Sequence, residues 1–286
     1  MGRIGLGWQL TKTSLRVLRK DKELLIFPLL SGLALLVILG GFLGGMFALV
    51  GFEAFLNGPS SWLLIPVLAV YYIFAFFVAI FFNAAVIGAA TIRLNGGNPT
   101  LGDGLRIARE NVGRIFLWAL FAGTVAMILR AIQQRSGILG RIVIGLVGVA
   151  WSLATYFVVP VLIYEKLGPW ASVKRSAHIF KATWGETIVG GFSMGAIFVL
   201  AGLAGILPIA LGAVIGGIVG LIVGLVIAVV YWIILGLVSS AASSILIAAL
   251  YRYATTGKVA EDFQGLPMSA SRLRGRRTAC PRESGR

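Results

Sequence analysis

From position 212 to position 250 the chain runs for 39 residues without a single charged side chain. About 20 such residues suffice for a helix to cross the roughly 30 Å hydrocarbon layer of a bilayer, so this stretch alone points to a membrane. Five more apolar runs precede it, at 24–52, 62–92, 115–132, 138–164 and 187–207. Composition agrees, with 58% hydrophobic and 12% charged residues, against about 25% charged in ordinary soluble domains. The reading is an all-α integral membrane protein with six transmembrane helices. The last run is nearly twice the minimum. It reads as one long tilted helix that starts in a glycine-rich outer turn and crosses lipid near 220–250, in preference to a re-entrant start. The first run is too long for the apolar core of a signal peptide and shows no small-residue cleavage site, so it is expected to be retained. Gly2 is followed by Leu6 where N-myristoylation wants Ser or Thr, so that pattern fails.

Charge supplies the orientation. Lys and Arg number 25 against 10 Asp and Glu, and positive residues collect in cytoplasmic segments. Six precede the first run, four follow the second, four follow the fourth and eight lie in the C-terminal segment. The opposite side has only Arg130, Arg135 and Arg141. Both termini are therefore expected in the cytoplasm of a plasma-membrane protein. Residues 1–265 form the polytopic membrane domain, and 266–286 an Arg-rich tail expected to be disordered, because its Ser, Gly, Pro and Arg cannot build a core. That tail, with Arg272, Arg274, Arg276, Arg277, Arg282 and Arg286, suits a tether to anionic lipid.

The three basic segments preceding the odd-numbered runs share a design, each reading as an amphipathic helix. In the first, Ile4, Trp8, Leu15 and Leu18 lie on one face and Lys12, Arg16 and Arg19 on another. In the second, Leu101, Leu105, Ala108 and Val112 form the stripe, and Thr100 with Asp103 makes a capping box after Pro99. In the third, Trp170, Val173, Ala177, Phe180 and Trp184 form it, with Lys174, Arg175 and Lys181 beside it. Residues 15–19 (LRVLR) and 105–109 (LRIAR) align directly; the third segment matches in pattern alone. The expected architecture is three parallel repeats, each an amphipathic interfacial helix followed by a helical hairpin. Parallel repeats are related by an axis along the membrane normal.

Three stretches carry a family resemblance: WQLTKTSLRVLRKDKELLIFP at 8–28, PVLIYEKLGPWASVKRSAHIFKATWG at 160–185 and LYRYATTG at 250–257. The chain resembles an uncharacterised prokaryotic membrane family, the domain of unknown function 6159, along nearly its whole length to about residue 270. The resemblance implies a six-span membrane protein and brings no activity, substrate or catalytic residue with it. The Arg-rich end departs from the family pattern.

Chemistry-bearing constellations are few. One His and one Cys leave no set of metal ligands and no disulfide framework, and the scarce carboxylates deprive acid–base schemes of parts. No catalytic, cofactor or metal residue is assigned, and no enzyme activity is expected. The string Gly191 to Gly195 matches the nucleophile-elbow pattern G-x-S-x-G, yet it sits inside an apolar run and lacks the strand-to-helix turn that pattern needs. His178, beside Lys174 and Lys181, reads as a solvated or headgroup-facing side chain. Gly212, Gly216, Gly220 and Gly224 recur every four residues and so line one strip of a helix, suited to close helix packing or to an oligomer contact. Ser239, Ser240, Ser243 and Ser244 add small polar positions. Counting ten residues back from the matched exits Arg93, Glu165 and Arg252 gives Asn83, Thr155 and Ala242, with Ser243 beside the last, a candidate intramembrane polar layer. Glu53, Arg130 and Glu165 fall at span ends, within snorkelling reach of the interface. Pro160 is expected to kink the fourth helix near its exit.

Two functions fit. A non-enzymatic scaffold or accessory protein explains the basic helices, with Lys12, Arg16, Arg19, Arg106, Arg109, Lys174, Arg175 and Lys181 contacting anionic lipid headgroups. A passive or lipid-handling transporter with its path on the repeat axis explains the repeat and the polar layer. Membrane lipids are the expected partner, a homo-oligomer is compatible, and nucleic acid is not expected for want of an RNA-binding fold.

Overall fold

The computed structural model describes residues 3–50 and 61–264. Glu53 and the Arg-rich tail lie outside the described residues. Ten α-helices follow one another there: α1 Arg3–Lys20, α2 Ile26–Val50, α3 Ser61–Leu94, α4 Leu101–Glu110, α5 Val112–Arg135, α6 Ile138–Ala154, α7 Val158–Tyr164, α8 Pro169–Ala182, α9 Trp184–Ala204 and α10 Leu207–Thr256. Short 3-10 turns at Lys22–Leu25 and Glu261–Phe263 complete the chain. The described residues contain no strand.

Five segments are long and apolar enough to cross a membrane: Lys22–Ala48, Leu68–Leu94, Val112–Arg135, Ile138–Tyr164 and Thr187–Thr256. The fifth spans 70 residues and holds both of the last two runs read from the sequence. It is not one rod. Gly217, at φ 56 and ψ −138, breaks α10, a left-handed conformation that glycine adopts without steric cost. The arms on either side then fold against each other, and the longer arm after Gly217 continues onto α9. The Tyr231 hydroxyl donates to the Ala201 carbonyl at 2.7 Å, and Trp232 Nε1 to the Gly202 carbonyl at 2.9 Å.

The fourth run is interrupted as well, between α6 and α7. Pro160 stands in the first turn of α7, where a missing N–H costs nothing, and the chain leaves helical geometry at residues 155–157 just before it. The Phe157 N–H freed by this break donates to Ser176 Oγ at 2.9 Å.

The three basic helices pack chiefly on helices other than the hairpins that follow them. α4 lies against α3, α8 against α7 and α6, and α1 against α9 and α10. Each therefore rests on the preceding hairpin, and the first closes the circle on the last. The buried core collects at this basic end of the bundle, around Leu10, Val17, Phe27, Ala85, Ile87, Ala108, Phe157, Leu162, Ile245 and Leu250. At the far end, Ile138, Leu139, Val214 and Ile215 are each about 80% exposed.

Candidate functional site

The basic helices bury small residues. On α1 the buried positions are Gly7, Leu10, Thr11, Thr13, Ser14, Val17 and Leu18, and on α8 they are Ser172, Val173, Ser176, Ile179 and Phe180. Setting Ser14 over Ser176 superposes Leu10, Thr11, Val17 and Leu18 on Ser172, Val173, Ile179 and Phe180. Aligning 105–109 on 15–19 puts Gly104 and Ala108, the buried residues of α4, at the Ser14/Ser176 and Leu18/Phe180 positions. Seven residues further on, Asp21, Asn111 and Thr183 are all buried at the junction with the next helix. Close approach explains the small side chains. A Cβ on Gly7 would stand 2.7 Å from the Val189 carbonyl, and one on Gly104 would stand 2.8 Å from the Ala85 carbonyl.

This burial differs from the apolar stripes read from periodicity. Trp8 and Trp170 are each 58% exposed and Trp184 is 55% exposed, whereas Leu18, Val173 and Phe180 of the same stripes are buried. Lys12, Arg16, Arg19, Arg106, Arg109, Lys174 and Lys181 are exposed on the outward faces. Arg175 is the exception, half-buried with its Nε 2.8 and 2.9 Å from the two Glu165 oxygens. Lys174 Nζ sits 5.6 Å from the Trp170 ring centre, a cation–π contact. The sequence does contain a signal for this register, the spacing Trp-x3-Lys at 8/12 and again at 170/174.

Where the bundle ends at its basic side, ion pairs and hydrogen bonds join segments far apart in the chain. Arg93 Nε lies 2.9 Å from Asp21 Oδ2, Tyr251 donates to Glu165 at 3.2 Å, Lys20 pairs with Asp262, and Arg252 donates to the Leu94 carbonyl. Burial pushes the Asp21 carboxyl above the ordinary range, against the opposing pull of Arg93. Asp103 moves the other way, held low by the Thr100 hydroxyl and backbone N–H that it accepts; both bonds of the expected capping box are present. A polar cleft of about 220 Å³ opens among Lys20, Arg93, Gly96, Gly97, Glu261 and Asp262. Beneath it Phe263 and Ala260 are buried in the core.

The residues of the expected polar layer are not joined by hydrogen bonds to one another. Asn83 Nδ2 donates to Ser244 Oγ at 3.3 Å, Thr155 bonds back to the Trp151 carbonyl at 2.8 Å, and Ser243 meets Met194 Sδ at 3.4 Å. Fully buried alanines surround the Asn83–Ser244 pair in sequence, Ala84, Ala85, Ala241 and Ala242. Of the glycine strip, Gly212 faces Gly220 and Gly224 faces Pro208, each so close that a Cβ would come within 2.2 Å of a carbonyl oxygen, while Gly216 has open space. Gly191 and Gly195 lie within α9, away from any strand-to-helix turn. Among the described residues no three His, Cys, Asp or Glu side chains gather as a metal site.

A model of a family described as "Family of unknown function (DUF6159)" matches residues 63–261. No curated protein and no solved structure matches the chain.

Proposed function

The chain belongs to this family of unknown function, and from that premise we propose that it is a non-enzymatic membrane scaffold or accessory protein that holds anionic lipid headgroups against its basic helices. The observation that carries this reading is the two-sidedness of α1, α4 and α8. One side is buried by close packing on a neighbouring hairpin, and the other offers cations held at fixed positions. A rigid helix with one face committed to the protein and the other cationic matches the anionic surface of a membrane leaflet. The protein sits in the plasma membrane with both termini cytoplasmic. Its hairpins make six crossings, the fifth and sixth being the two legs that meet at Gly217, and three repeats run around an axis normal to the bilayer. The cyclic order of packing, α4 on α3, α8 on α7 and α1 on α9, supports this arrangement.

Reconstitution tests the reading. In nanodiscs of phosphatidylcholine doped with phosphatidylglycerol, the full chain should immobilise spin-labelled phosphatidylglycerol in preference to spin-labelled phosphatidylcholine. Equal immobilisation of the two would overturn it.

One observation favours the second reading, passive or lipid-handling transport, namely the hydrogen bond between Asn83 and Ser244 inside the bundle. It predicts flux through reconstituted protein that Asn83→Leu abolishes. Unchanged flux in that variant removes the path.

A further inference from the structure

Placed in the shared register, α1 and α8 agree on the outside as well as the inside. Trp8, Lys12, Arg16 and Arg19 stand over Trp170, Lys174, His178 and Lys181, all eight exposed. The spacings of four, eight and eleven residues from the Trp keep each set within about 80° of one helix face, since each residue turns the helix by roughly 100°. Each set is therefore a single ladder, with an aromatic ring at one end and three cationic or titratable groups along about 16 Å of helix. The middle copy lacks it. At the matching positions it has Asn98 and Gly102 in place of the Trp and the Lys, its Arg106 is paired with Asp103 at 3.0 Å, and Arg109 alone of the four is an exposed cation without that pairing.

The packing around Trp170 fixes the depth of the ladder. Its ring meets Phe121 at 6.3 Å, Phe121 meets Trp151 at 6.0 Å, and Trp151 stacks on Trp118 at 6.3 Å. Such a band of aromatic rings marks a membrane–water boundary. The exposed helix α6 runs from Ile138 through 17 residues to Ala154, about 26 Å, close to the thickness of the hydrocarbon layer. Trp170 thus lies where that layer ends. From there α8 crosses α7, with Arg175 at its exit residue Glu165 and Ser176 and Phe180 at Phe157 and Tyr156 where it starts. Lys174, His178 and Lys181 stay on the side of α8 turned away from these contacts, all three exposed.

We propose that the outward edges of α1 and α8 are two equivalent binding sites for an anionic phospholipid headgroup. The Trp ring packs against the upper acyl chains and the lysine one turn along, which on α8 stands over that ring, meets the phosphate. The remaining groups, Arg16 and Arg19 on α1 and His178 and Lys181 on α8, face the polar end of the headgroup. α4 is not a third site. This rests on the lipid-contact reading above and deepens it by naming where, and in how many places, the contact is made.

The test uses the full chain in the same nanodiscs and compares variants that each remove two exposed cations: K12Q/R16Q, K174Q/K181Q and, as reference, R106Q/R109Q. Size-exclusion elution alike for all four proteins establishes that they are folded. The expected result is a roughly tenfold loss of preference for spin-labelled phosphatidylglycerol in each of the first two, and less than about threefold in the reference. Equal losses in all three variants would mean diffuse surface charge and overturn the two-site proposal while leaving the lipid-contact reading intact. No loss in either ladder variant overturns the proposal too. A wild-type protein without preference overturns both.

Discussion

The two ends of this bundle are made of similar amounts of apolar side chain and use it in opposite ways. At the basic end Leu10, Val17, Phe27, Phe157 and Leu250 are fully buried by other parts of the chain. At the far end Leu139, Val214, Ile215 and Ile218 are left about four-fifths exposed. Water forbids a contiguous exposed apolar surface of that size, whereas lipid tails are as apolar as leucine and provide no force to cover it. Helices in the far half are therefore held by close backbone approach, as at Gly212 and Gly220. Those of the basic half have a core of the kind a soluble domain has. The difference teaches that hydropathy alone does not locate the stability of this protein; the short two-faced helices do.

Truncating a core side chain is the strongest way to break that comparison. Phe27→Ala at the basic end should cost about 3–5 kcal/mol through lost transfer energy and the cavity left behind. Leu139→Ala at the far end should change stability by less than about 0.5 kcal/mol. Thermal unfolding of both variants in one detergent reads the difference, and similar melting temperatures would mean that the two ends are not distinct.

Adding bulk is next. At Gly104 a Cβ meets Phe27 and the Ala85 carbonyl within 2.8 Å, while at Gly40 on α2 nothing lies within 4 Å. Gly104→Leu should therefore destabilise by at least the 1–3 kcal/mol typical of overpacking. Gly40→Leu should be accommodated. An intact, monodisperse Gly104→Leu protein with wild-type melting would show that α4 is not clamped against α3.

A finer contrast lies within the basic half, between equivalent serines. Ser176 accepts the Phe157 N–H that the helix break sets free, so Ser176→Ala leaves a buried donor unpaired and should cost about 1–3 kcal/mol. Ser14, in the same register and equally buried, has no hydrogen-bond partner among the described residues. Ser14→Ala should be neutral or slightly stabilising. A double-mutant comparison by chemical unfolding separates the two, and equal losses would remove the role given to the Phe157 bond.

These residues also show what the sequence made legible and what it hid. The apolar runs announced the helices because a 20-residue apolar stretch has few other uses. The turn near Gly216 and Gly217 was visible as a glycine cluster in an overlong run, and the Thr100–Asp103 box as a short-range pattern of polar atoms. The inward faces of α1 and α8 were legible only in part, through Leu18, Val173 and Phe180, which are buried as the stripes have them. The rest of those faces is Ser14, Thr11, Ser172 and Ser176, whose burial by close approach leaves no hydrophobic period to detect. The tryptophans, which periodicity assigns to a core, are instead exposed. Pairings across the chain, such as Asn83 with Ser244 rather than Ser243, depend on helix rotation that no spacing rule fixes.

The smallest expected effect concerns two carboxylates of opposite behaviour at the basic end. Asp103 has its folded-state pKa lowered by the Thr100 hydrogen bonds, so its contribution is fully present above the ordinary carboxylate range and disappears as pH falls through the folded value. Asp21 has its folded-state pKa raised by burial, so its contribution is present at acid pH and is lost as pH rises through the folded value. Thr100→Ala removes the cap that holds Asp103 low. It should cost about 1 kcal/mol at neutral pH and less once Asp103 is protonated in both states, when only the bond from the Asp103 N–H to the Thr100 hydroxyl is still lost. Asp21→Asn should instead leave acid stability nearly unchanged and remove the decline on the way to neutrality, set against the loss of the Arg93 partner. Melting temperature followed from pH 3 to pH 7 should therefore show Asp21→Asn close to wild type at the acid end and Thr100→Ala nearer to wild type there than at the neutral end, where the two variants part from it by different amounts. Parallel curves would mean that neither carboxylate feels the environment its neighbours impose.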